Sequence, residues 1–254
     1  MNKIIGLVRL MRLELPLAAG ICVIMGQIFA LSGFAPWKHG ISAFLSVVMI
    51  SASILVMNDY FDYESDKINA PKRPIPANLV KPIEALVFAL ILLFCGLLLS
   101  YMIGIYIFVI AMGLAVIGFL YNRFFKRTGL AGNIMVSFSV GMTFIYGGAS
   151  VCSPFHPTVL LFALMVALID LGEEIAADAM DIDGDLLIKS RSLAIKHGKS
   201  TALLISSLIF SMVIILSILP FIFGWFATIY LLPILIMDLS IIYSTLRLLQ
   251  SRDE

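Results

Sequence analysis

The chain has 254 residues, of which 61% are hydrophobic and only 13% are charged, and its formal net charge is +1. A soluble domain is usually about 45–50% apolar and about 25% charged, so this composition excludes disordered, collagen-like and coiled-coil chains and argues against a water-soluble enzyme. The nearly neutral charge gives no indication of nucleic-acid binding. A mean hydropathy of +1.06 instead predicts a membrane protein.

Apolar stretches long enough to cross a bilayer occur about eight times along the chain. A spanning helix needs about 20 mostly apolar residues. The predicted spans are Leu15–Phe34, Ile41–Met57, Pro82–Met102, Ile105–Tyr121, Leu130–Val151, Pro157–Leu171, Thr201–Pro220 and Phe221–Leu246. Very short links, such as Tyr101–Gly104, leave no room for a separate soluble domain. We therefore predict an all-α, polytopic membrane helix bundle that forms a single domain over residues 1–254.

The basic residues predict how the bundle is oriented in the membrane. If the N-terminus is cytoplasmic, eight alternating spans place every one of the 17 basic residues except Lys38 on the cytoplasmic side. Cytoplasmic loops of membrane proteins carry an excess of Lys and Arg, which supports both this orientation and an even number of spans. Almost all acidic residues lie in the same loops or at the helix ends that lead into them. The sequence therefore predicts a cytoplasmic active site.

Two acidic motifs with the same spacing follow the second and the sixth predicted spans. In each motif three aspartates are separated by three and then by four residues, which places them within about 60° on one face of a helix. The first motif contains Asp59, Asp62 and Asp66, and the second contains Asp178, Asp181 and Asp185. Like charges at these spacings repel each other on a helix. We therefore expect a cationic partner for each motif.

The chemistry of the two motifs favours Mg²⁺. Carboxylates without His or Cys are typical ligands of hard cations, and the three histidines and three cysteines of this chain are scattered. Two motifs could hold two Mg²⁺ ions around a diphosphate, leaving about −5 of charge for basic side chains to offset. Arg73, in the stiff segment from Pro71 to Pro76, and Lys126, on a short loop after Tyr121, are the main candidates.

The motifs resemble those of the UbiA superfamily of intramembrane prenyltransferases. The first match runs from Asn58 to Asp66 and continues with Lys67-Ile68-Asn69 and Arg73-Pro74-Ile75-Pro76. The second runs from Asp178 to Asp185 and continues with Arg191-Ser192-Leu193. The N-terminal segment with Arg9, Arg12 and Pro16, and the segment from Tyr121 to Asn133, look like two further family signatures. The resemblance covers nearly the whole chain and implies nine helices around a central lipid-accessible cavity, one helix more than we count.

The resemblance also implies a reaction and a set of site residues. The family transfers an isoprenyl group from a polyprenyl diphosphate to a hydrophobic or amphipathic acceptor in the lipid bilayer. The metal ligands would be Asp59, Asp62 and Asp66 for one Mg²⁺, and Asp178, Asp181 and Asp185 for the other. The diphosphate would be bound by Asn58, Arg73, Lys126, Arg127, Lys189 and Arg191. Metal ions and basic side chains would draw charge onto the leaving diphosphate, while the bilayer shields the carbocation from water.

Three residues are candidates for direct roles in catalysis. Asp170 lies two turns before Asp178, about 12 Å deeper along the same predicted helix. An acid within a membrane span is a functional hypothesis by default, and Asp170 could orient or deprotonate the acceptor hydroxyl. The alternative is a carboxyl group that hydrogen-bonds a neighbouring helix. Tyr121 is the candidate aromatic group for stabilising a carbocation, and Lys126 is the candidate catalytic cation.

The acceptor has more than one candidate. Within the family, the first motif is most similar to the archaeal branch that transfers a geranylgeranyl group to geranylgeranylglyceryl phosphate in ether-lipid synthesis. That branch usually has Arg-Glu-Ile and a Lys where this chain has Glu173-Glu174-Ile175 and Ala177. Prenylation of an aromatic quinone precursor therefore stays as an alternative. A divalent-cation transporter is a more distant one, because the external half of the chain is nearly free of acids.

Overall fold

The computed structural model describes residues 2–187 and 190–250, and all regular structure within these ranges is helical. The α-helices are α1 (Asn2–Met11), α2 (Glu14–Leu31), α3 (Trp37–Phe61), α4 (Tyr63–Asn69), α5 (Pro82–Ile103), α6 (Ile105–Leu120), α7 (Leu130–Ser150), α8 (Pro157–Met180), α9 (Ile182–Leu187), α10 (Leu193–His197), α11 (Lys199–Ser217), α12 (Leu219–Ile222) and α13 (Leu231–Gln250). A π-helical turn follows α6 at Tyr121–Phe125, and a 3₁₀ turn precedes α13 at Thr228–Tyr230.

The chain is a multi-pass membrane protein, as its composition predicts. Seven described segments are long and apolar enough to cross a bilayer: Glu14–Leu31, Trp37–Phe61, Pro82–Ile103, Ile105–Phe125, Leu130–Ser150, Lys199–Ile222 and Thr228–Gln250. The helix α8 has 24 residues but carries acidic residues in its second half. The last predicted span begins too early, because the chain turns at Gly224, whose φ is 69°, before the final apolar segment starts at Thr228.

The helices pack into two compact units. The first unit contains Met1–Phe124 and Met142–Leu160, and the second contains Phe125–Gly141 and Leu161–Glu254. Each of the helices α7 and α8 therefore contributes one part to each unit. The first acidic motif belongs to the first unit, and the second acidic motif belongs to the second unit.

In the first unit, α3 is the central helix and packs against α1, α2, α5 and α6. Near the end of α3 that carries the first acidic motif, Val56 is fully buried together with Leu10 of α1. Ile75 and Val80, from the segment between α4 and α5, belong to the same core and are each 1% exposed. This packing fixes the proline-rich segment against the helix that begins the acidic motif.

The opposite half of the first unit contains buried polar side chains that pair with one another. The hydroxyl of Tyr146 lies 2.8 Å from that of Ser46 and donates to Ser100 at 3.2 Å. The amide nitrogen of Gln27 donates to the hydroxyl of Ser150 at 2.8 Å. Polar groups inside a membrane protein need internal partners because lipid provides none. These hydrogen bonds connect α2, α3, α5 and α7.

Glycines allow α2 and α7 to approach closely. A Cβ atom at Gly26 would lie 2.3 Å from the carbonyl oxygen of Phe144, and one at Gly147 would lie 2.2 Å from that of Val23. Neither backbone oxygen can move aside without moving its helix. Small residues at such positions are typical of helix packing in membranes.

We expect Gly26→Ala to destabilise the protein by about 1–3 kcal/mol, the usual cost of overpacking a tight contact. Gly113→Ala is the matched control, because, apart from the neighbouring backbone of α6 itself, no atom of the described residues lies within 4 Å of a Cβ at that position, and alanine favours a helix more than glycine does. Thermal unfolding in detergent measures both variants. Equal unfolding midpoints for the two variants would contradict the close approach of α2 and α7.

The second unit has its own small core. Ile175, Ala179 and Leu203 are buried there, and α11 packs against α10 and α13. The hydroxyl of Ser217 donates to Asp238 at 3.0 Å, and the hydroxyl of Tyr230 donates to the backbone oxygen of Ser217 at 2.8 Å. Asp238 is therefore tied to the packing of α11 against α13.

Candidate active site

The first acidic motif lies where α3 ends and α4 begins. Asp59 is in the last turn of α3, Asp62 stands between the two helices, and Asp66 is in α4. The amide of Asp62 still bonds to the oxygen of Asn58 at 2.9 Å, and that of Asp66 to the oxygen of Asp62 at 2.8 Å. The motif is thus almost helical, although the single continuous helix assumed from its spacing is wrong.

Two arginines neutralise the buried carboxylates of this motif. Asp59 and Asp66 are 3% and 6% exposed. The Arg12 guanidinium donates to Asp59, and Arg73 donates to Asp66 at 2.7 Å while lying 3.5 Å from Asp59. Buried carboxylates need such partners, because an isolated charge is costly to remove from water. The cationic partner expected from the repulsion among the aspartates is therefore present in the first unit.

The electrostatic state of Arg73 follows from these contacts. Partial burial alone would lower its pKa, but the hydrogen bond to Asp66 and the charges of Asp59, Asp66 and Asp62 raise the pKa above its usual value. Arg73 is therefore a permanent cation beside the motif. Lys67, which is exposed on α4, also has a raised pKa, because it hydrogen-bonds the exposed Glu64.

The segment that carries Arg73 is held rigidly. The amide of Arg73 bonds to the oxygen of Ala70 at 2.9 Å, and the amide of Leu79 bonds to that of Pro74 at 3.0 Å. Prolines fix the backbone further, because their rings lock φ. The guanidinium is thus positioned before any ligand arrives, as the stiff sequence of this segment predicts.

Asn58 contacts the π-helical turn that begins at Tyr121. Asn58 donates to the side chain of Asn122 at 2.9 Å, and Asn122 donates to the backbone oxygen of Ile54 at 3.0 Å. Tyr121 is the first residue of the same turn and is half-buried. Single π-helical turns are rare and often occur at functional sites. This arrangement brings Asn58 and the neighbour of Tyr121 together in the first unit.

The second acidic motif is also divided at its middle aspartate. Asp178 is in α8, Asp181 follows the end of that helix, and Asp185 is in α9. Backbone hydrogen bonds again continue through the break, from Asp181 to Ala177 at 3.0 Å and from Asp185 to Asp181 at 2.9 Å. Both motifs therefore share one local design, a near-helical run interrupted at the second aspartate.

Among the described residues, fewer side chains contact the carboxylates of this motif than contact those of the first. Asn133 of α7 donates to Asp178 at 2.9 Å, and the negative charge of Asp185 acts on Asp178. The Oδ2 atom of Asp185 is buried and finds no hydrogen-bond partner among the described residues. A Cβ at Gly184 would lie 2.5 Å from the Asp181 carboxylate, so glycine leaves this carboxylate its space.

Further acidic residues lie in α8 before the motif, at positions 170, 173 and 174. Ser137 of α7 donates to Asp170 at 2.9 Å, so Asp170 has the interhelical hydrogen bond that was its alternative role. Glu174 experiences the negative charges of Asp170 and Asp178 and the positive charge of Lys126. The structure thus places Lys126 near the acids of α8, within the second unit.

The two arginines expected to bind the diphosphate in this unit come from segments that touch. The amide of Arg191 bonds to the backbone oxygen of Arg127 at 3.1 Å. Gly129 has a φ of 70°, and a Cβ there would lie 2.1 Å from the oxygen of Arg191, so only glycine permits this contact. Both arginine side chains are exposed. Lys189, the remaining candidate, lies outside the described residues.

The residues present fit Mg²⁺ by their chemistry. Among residues 2–187 and 190–250, no three Asp, Glu, His or Cys side chains converge closely enough to hold a metal ion by themselves. Mg²⁺ is usually bound by one or two carboxylates together with phosphate oxygens and water. The first motif offers Asp59 and Asp66, and the second offers Asp185, whose buried Oδ2 has no hydrogen-bond partner among the described residues. Such oxygens are ligands for a hard cation.

Four residues at these motifs were not assigned by sequence reasoning: Arg12, Asn122, Asn133 and Ser137. Three of them lie within sequence segments that surround recognisable signals, since Arg12 belongs to the N-terminal signature, and Asn122 and Asn133 lie in the segment from Tyr121 to Asn133. Ser137 had no local signal, because a serine in an apolar helix is common in membranes. Its role depends on α7 packing beside α8.

Comparison with known proteins gives a consistent picture. Residues 19–254 match the model of the UbiA prenyltransferase family. A digeranylgeranylglyceryl phosphate synthase from Sulfurisphaera tokodaii is 31% identical over 243 residues, which cover 92% of this chain and 84% of that protein. A solved structure of a digeranylgeranylglyceryl phosphate synthase is 33% identical, with a TM-score of 0.80 over 98% of this chain and 88% of that one.

A more distant structure has the same fold. A UbiA homologue from Archaeoglobus fulgidus, bound to DMAPP and Mg²⁺, is 17% identical and has a TM-score of 0.77, covering 95% of this chain and 86% of the other.

Proposed function

Because the chain belongs to the UbiA prenyltransferase family and is a prenyltransferase, we propose that it transfers a geranylgeranyl group from geranylgeranyl diphosphate to geranylgeranylglyceryl phosphate. The observation that carries the proposal is the first acidic motif, in which buried Asp59 and Asp66 are held by Arg12 and Arg73. The choice of acceptor is supported by the relatives, which are named for this reaction and match almost the whole chain.

The proposed metal ligands are the aspartates of both motifs. Asp59, Asp62 and Asp66 would hold one Mg²⁺, and Asp178, Asp181 and Asp185 would hold a second. Support comes from the all-carboxylate donor set and from the distant homologue that binds DMAPP with Mg²⁺. When bound, Mg²⁺ would supply positive charge that stabilises the leaving diphosphate.

Basic and amide side chains would bind the diphosphate itself. Arg73 is preorganised by its segment, and Asn58 is oriented by Asn122. In the second unit, Lys126 lies near the acids of α8. The full proposed set is Asn58, Arg73, Lys126, Arg127, Lys189 and Arg191. Preorganised donors of this kind favour the charge that develops as the allylic C–O bond breaks.

Two side chains would act on the allylic cation and on the acceptor hydroxyl. Tyr121 would place its aromatic face near the allylic cation, an interaction that such rings favour. Asp170 would accept the proton of the acceptor hydroxyl, and its hydrogen bond from Ser137 would orient the carboxylate for this step. Lys126 would stabilise the diphosphate as it leaves.

If Asp170 is the base, Asp170→Asn should lower turnover by about a hundredfold, since a positioned general base contributes at least that much. The KM for geranylgeranyl diphosphate should stay within about twofold, because Asp170 does not bind the donor. Steady-state kinetics with a varied donor separates these effects. Asp238→Asn is the matched control, because it removes the other acid within an apolar helix. Unchanged turnover of Asp170→Asn would leave the carboxyl with a packing role only.

An aromatic acceptor is the second candidate. It is favoured by Glu173 and Ala177 of α8, which stand where the related archaeal branch usually has an arginine and a lysine, so two cations that could bind a phosphorylated acceptor are missing. The test is a competition assay with purified protein, Mg²⁺ and geranylgeranyl diphosphate, offering geranylgeranylglyceryl phosphate and an aromatic acid. We expect a prenylated glyceryl phosphate. Product from the aromatic acid alone would overturn the assignment of the acceptor.

The proposed location of this reaction is the cytoplasmic face of the cell membrane. The distribution of basic residues supports a cytoplasmic N-terminus when α8 is counted as an eighth crossing. Both acidic motifs and their basic partners then belong to cytoplasmic helix ends and loops.

A further inference from the structure

Arg12 has an unusual backbone conformation. It stands between α1 and α2 with a φ of 45°, in the left-handed region that residues other than glycine seldom adopt. Strained residues of this kind persist only where the surrounding structure holds them, and they cluster at functional sites. The unfavourable backbone conformation therefore suggests that the side chain of Arg12 has a functional role.

The neighbouring helix holds Arg12 in place. A Cβ at Gly6 of α1 would lie 2.7 Å from the side chain of Val80, so α1 rests directly on the segment that carries Arg73. Leu10 is fully buried in the same core, and Lys3 pairs with Glu84 of α5. With α1 fixed at these points, the guanidinium of Arg12 reaches the buried Asp59, 47 residues away in sequence.

Two guanidinium groups and a metal ion would compete for one carboxylate. Arg12 and Arg73 both approach the Oδ1 atom of Asp59. Asp59, Asp62 and Asp66 carry three negative charges against the two positive charges of the arginines, so the motif has a formal charge of −1. A divalent cation added to this arrangement would make it +1, whereas a cation that replaces Arg12 on Asp59 would face less repulsion.

We propose that Arg12 is a positioning residue that occupies Asp59 when no metal is bound and is displaced from this carboxylate when Mg²⁺ binds. The inference rests on the proposed function, because it takes Asp59 as a metal ligand. It explains why a strained arginine is retained at the start of α2: the buried acid is neutralised and kept in place before the cation arrives. Arg73, which also contacts Asp66, stays with the motif.

The test measures thermal unfolding of the full chain in detergent, with EDTA and across a Mg²⁺ titration. Arg12→Gln should lower the unfolding midpoint in EDTA by about 5–10 °C, because it leaves a buried carboxylate unpaired. The Mg²⁺ concentration for half-maximal stabilisation should fall about tenfold, since a competing charge is gone. At saturating Mg²⁺ the midpoint should return to within about 2 °C of the wild type.

Two further variants make the result specific. Arg9→Gln removes the same charge from the exposed face of α1 and should behave as the wild type at every Mg²⁺ concentration. Arg12→Lys keeps the charge and should restore most of the stability in EDTA. An equal loss of stability for Arg12→Gln with and without Mg²⁺, at an unchanged Mg²⁺ midpoint, would show a merely structural role and overturn the inference.

The same titration separates this inference from the proposed function. If Mg²⁺ stabilises the wild type and Arg12→Gln responds at the same concentration, only the inference fails. If Mg²⁺ stabilises neither protein, the proposed metal role fails, and the inference fails with it.

Discussion

Asp66→Asn should reduce geranylgeranyl transfer by about a thousandfold. The change removes a charged metal ligand that contributes several kcal/mol to stabilising the leaving group, and each 1.36 kcal/mol corresponds to a factor of ten in rate. Arg73 would lose its partner at 2.7 Å but keep Asp59 at 3.5 Å. We therefore expect the fold to survive while the first motif loses its affinity for the cation.

The matched control for this variant is Glu64→Gln. Glu64 lies on the same short helix, is exposed and pairs with Lys67, so the substitution makes the same change of charge two residues away. Product formation at saturating Mg²⁺ and donor compares the two variants with the wild type. Equal activity of Asp66→Asn and Glu64→Gln would remove the first motif from the mechanism.

Asp185→Asn should lower activity without lowering stability. Activity should again fall by about a thousandfold, because a carboxylate of the second motif is lost. Stability in EDTA should stay equal or rise by about 2–4 °C, which corresponds to about 1 kcal/mol in a chain of this size. The reason is that the Oδ2 atom of Asp185 is buried without a described partner and its charge repels that of Asp178.

The separation of activity from stability makes this prediction distinctive. Substitution of a residue needed only for folding would lower both the stability and the activity of the protein. A buried carboxylate that serves as a metal ligand instead destabilises the protein until the cation binds. Asp183→Asn is the control, because it removes a neighbouring aspartate outside the 3,4 spacing. A fall of the unfolding midpoint in EDTA by more than about 5 °C would contradict a site prepared for a metal ion.

Hydropathy was sufficient to predict most of the fold, because the length and apolar character of a spanning helix are local properties of the chain. The predicted spans Pro82–Met102 and Leu130–Val151 end within one residue of α5 and α7. The helix α1 was missed because its 10 residues are too few to span a bilayer. The start of the last span was misplaced because the residues before Gly224 are as apolar as the helix that follows.

The acidic motifs were recognisable from spacing, but their breaks and partners were not. No Pro or Gly marks the interruption at Asp62, so spacing alone suggested a continuous helix. Arg73 and Asp66 are seven residues apart, and the sequence predicted a cationic partner for this motif, with Arg73 as a main candidate. The pairing of Arg12 with Asp59 depends on the way α1 packs, and no periodicity in the sequence reports a contact between segments so far apart.

The acceptor is the part of the account that local sequence describes least. The motifs belong to the site for the prenyl donor, and prenyltransferases with different acceptors share that site. Glu173 and Ala177 mark a difference from the related archaeal branch, and the structure adds that Glu174 lies near both Lys126 and Asp170. These contacts place charged side chains around α8, but they do not favour one acceptor over the other. The competition assay therefore decides between the two acceptors.

The most direct test of the central claim is transfer by the purified wild-type protein with geranylgeranyl diphosphate and geranylgeranylglyceryl phosphate, with Mg²⁺ or with EDTA. Mass spectrometry of the lipid product and release of diphosphate are measured in the same reaction. We predict equal amounts of diphosphate and of a product carrying a second geranylgeranyl group, with Mg²⁺ only. Equal product formation in EDTA, or no product in Mg²⁺ from a folded protein, would contradict it.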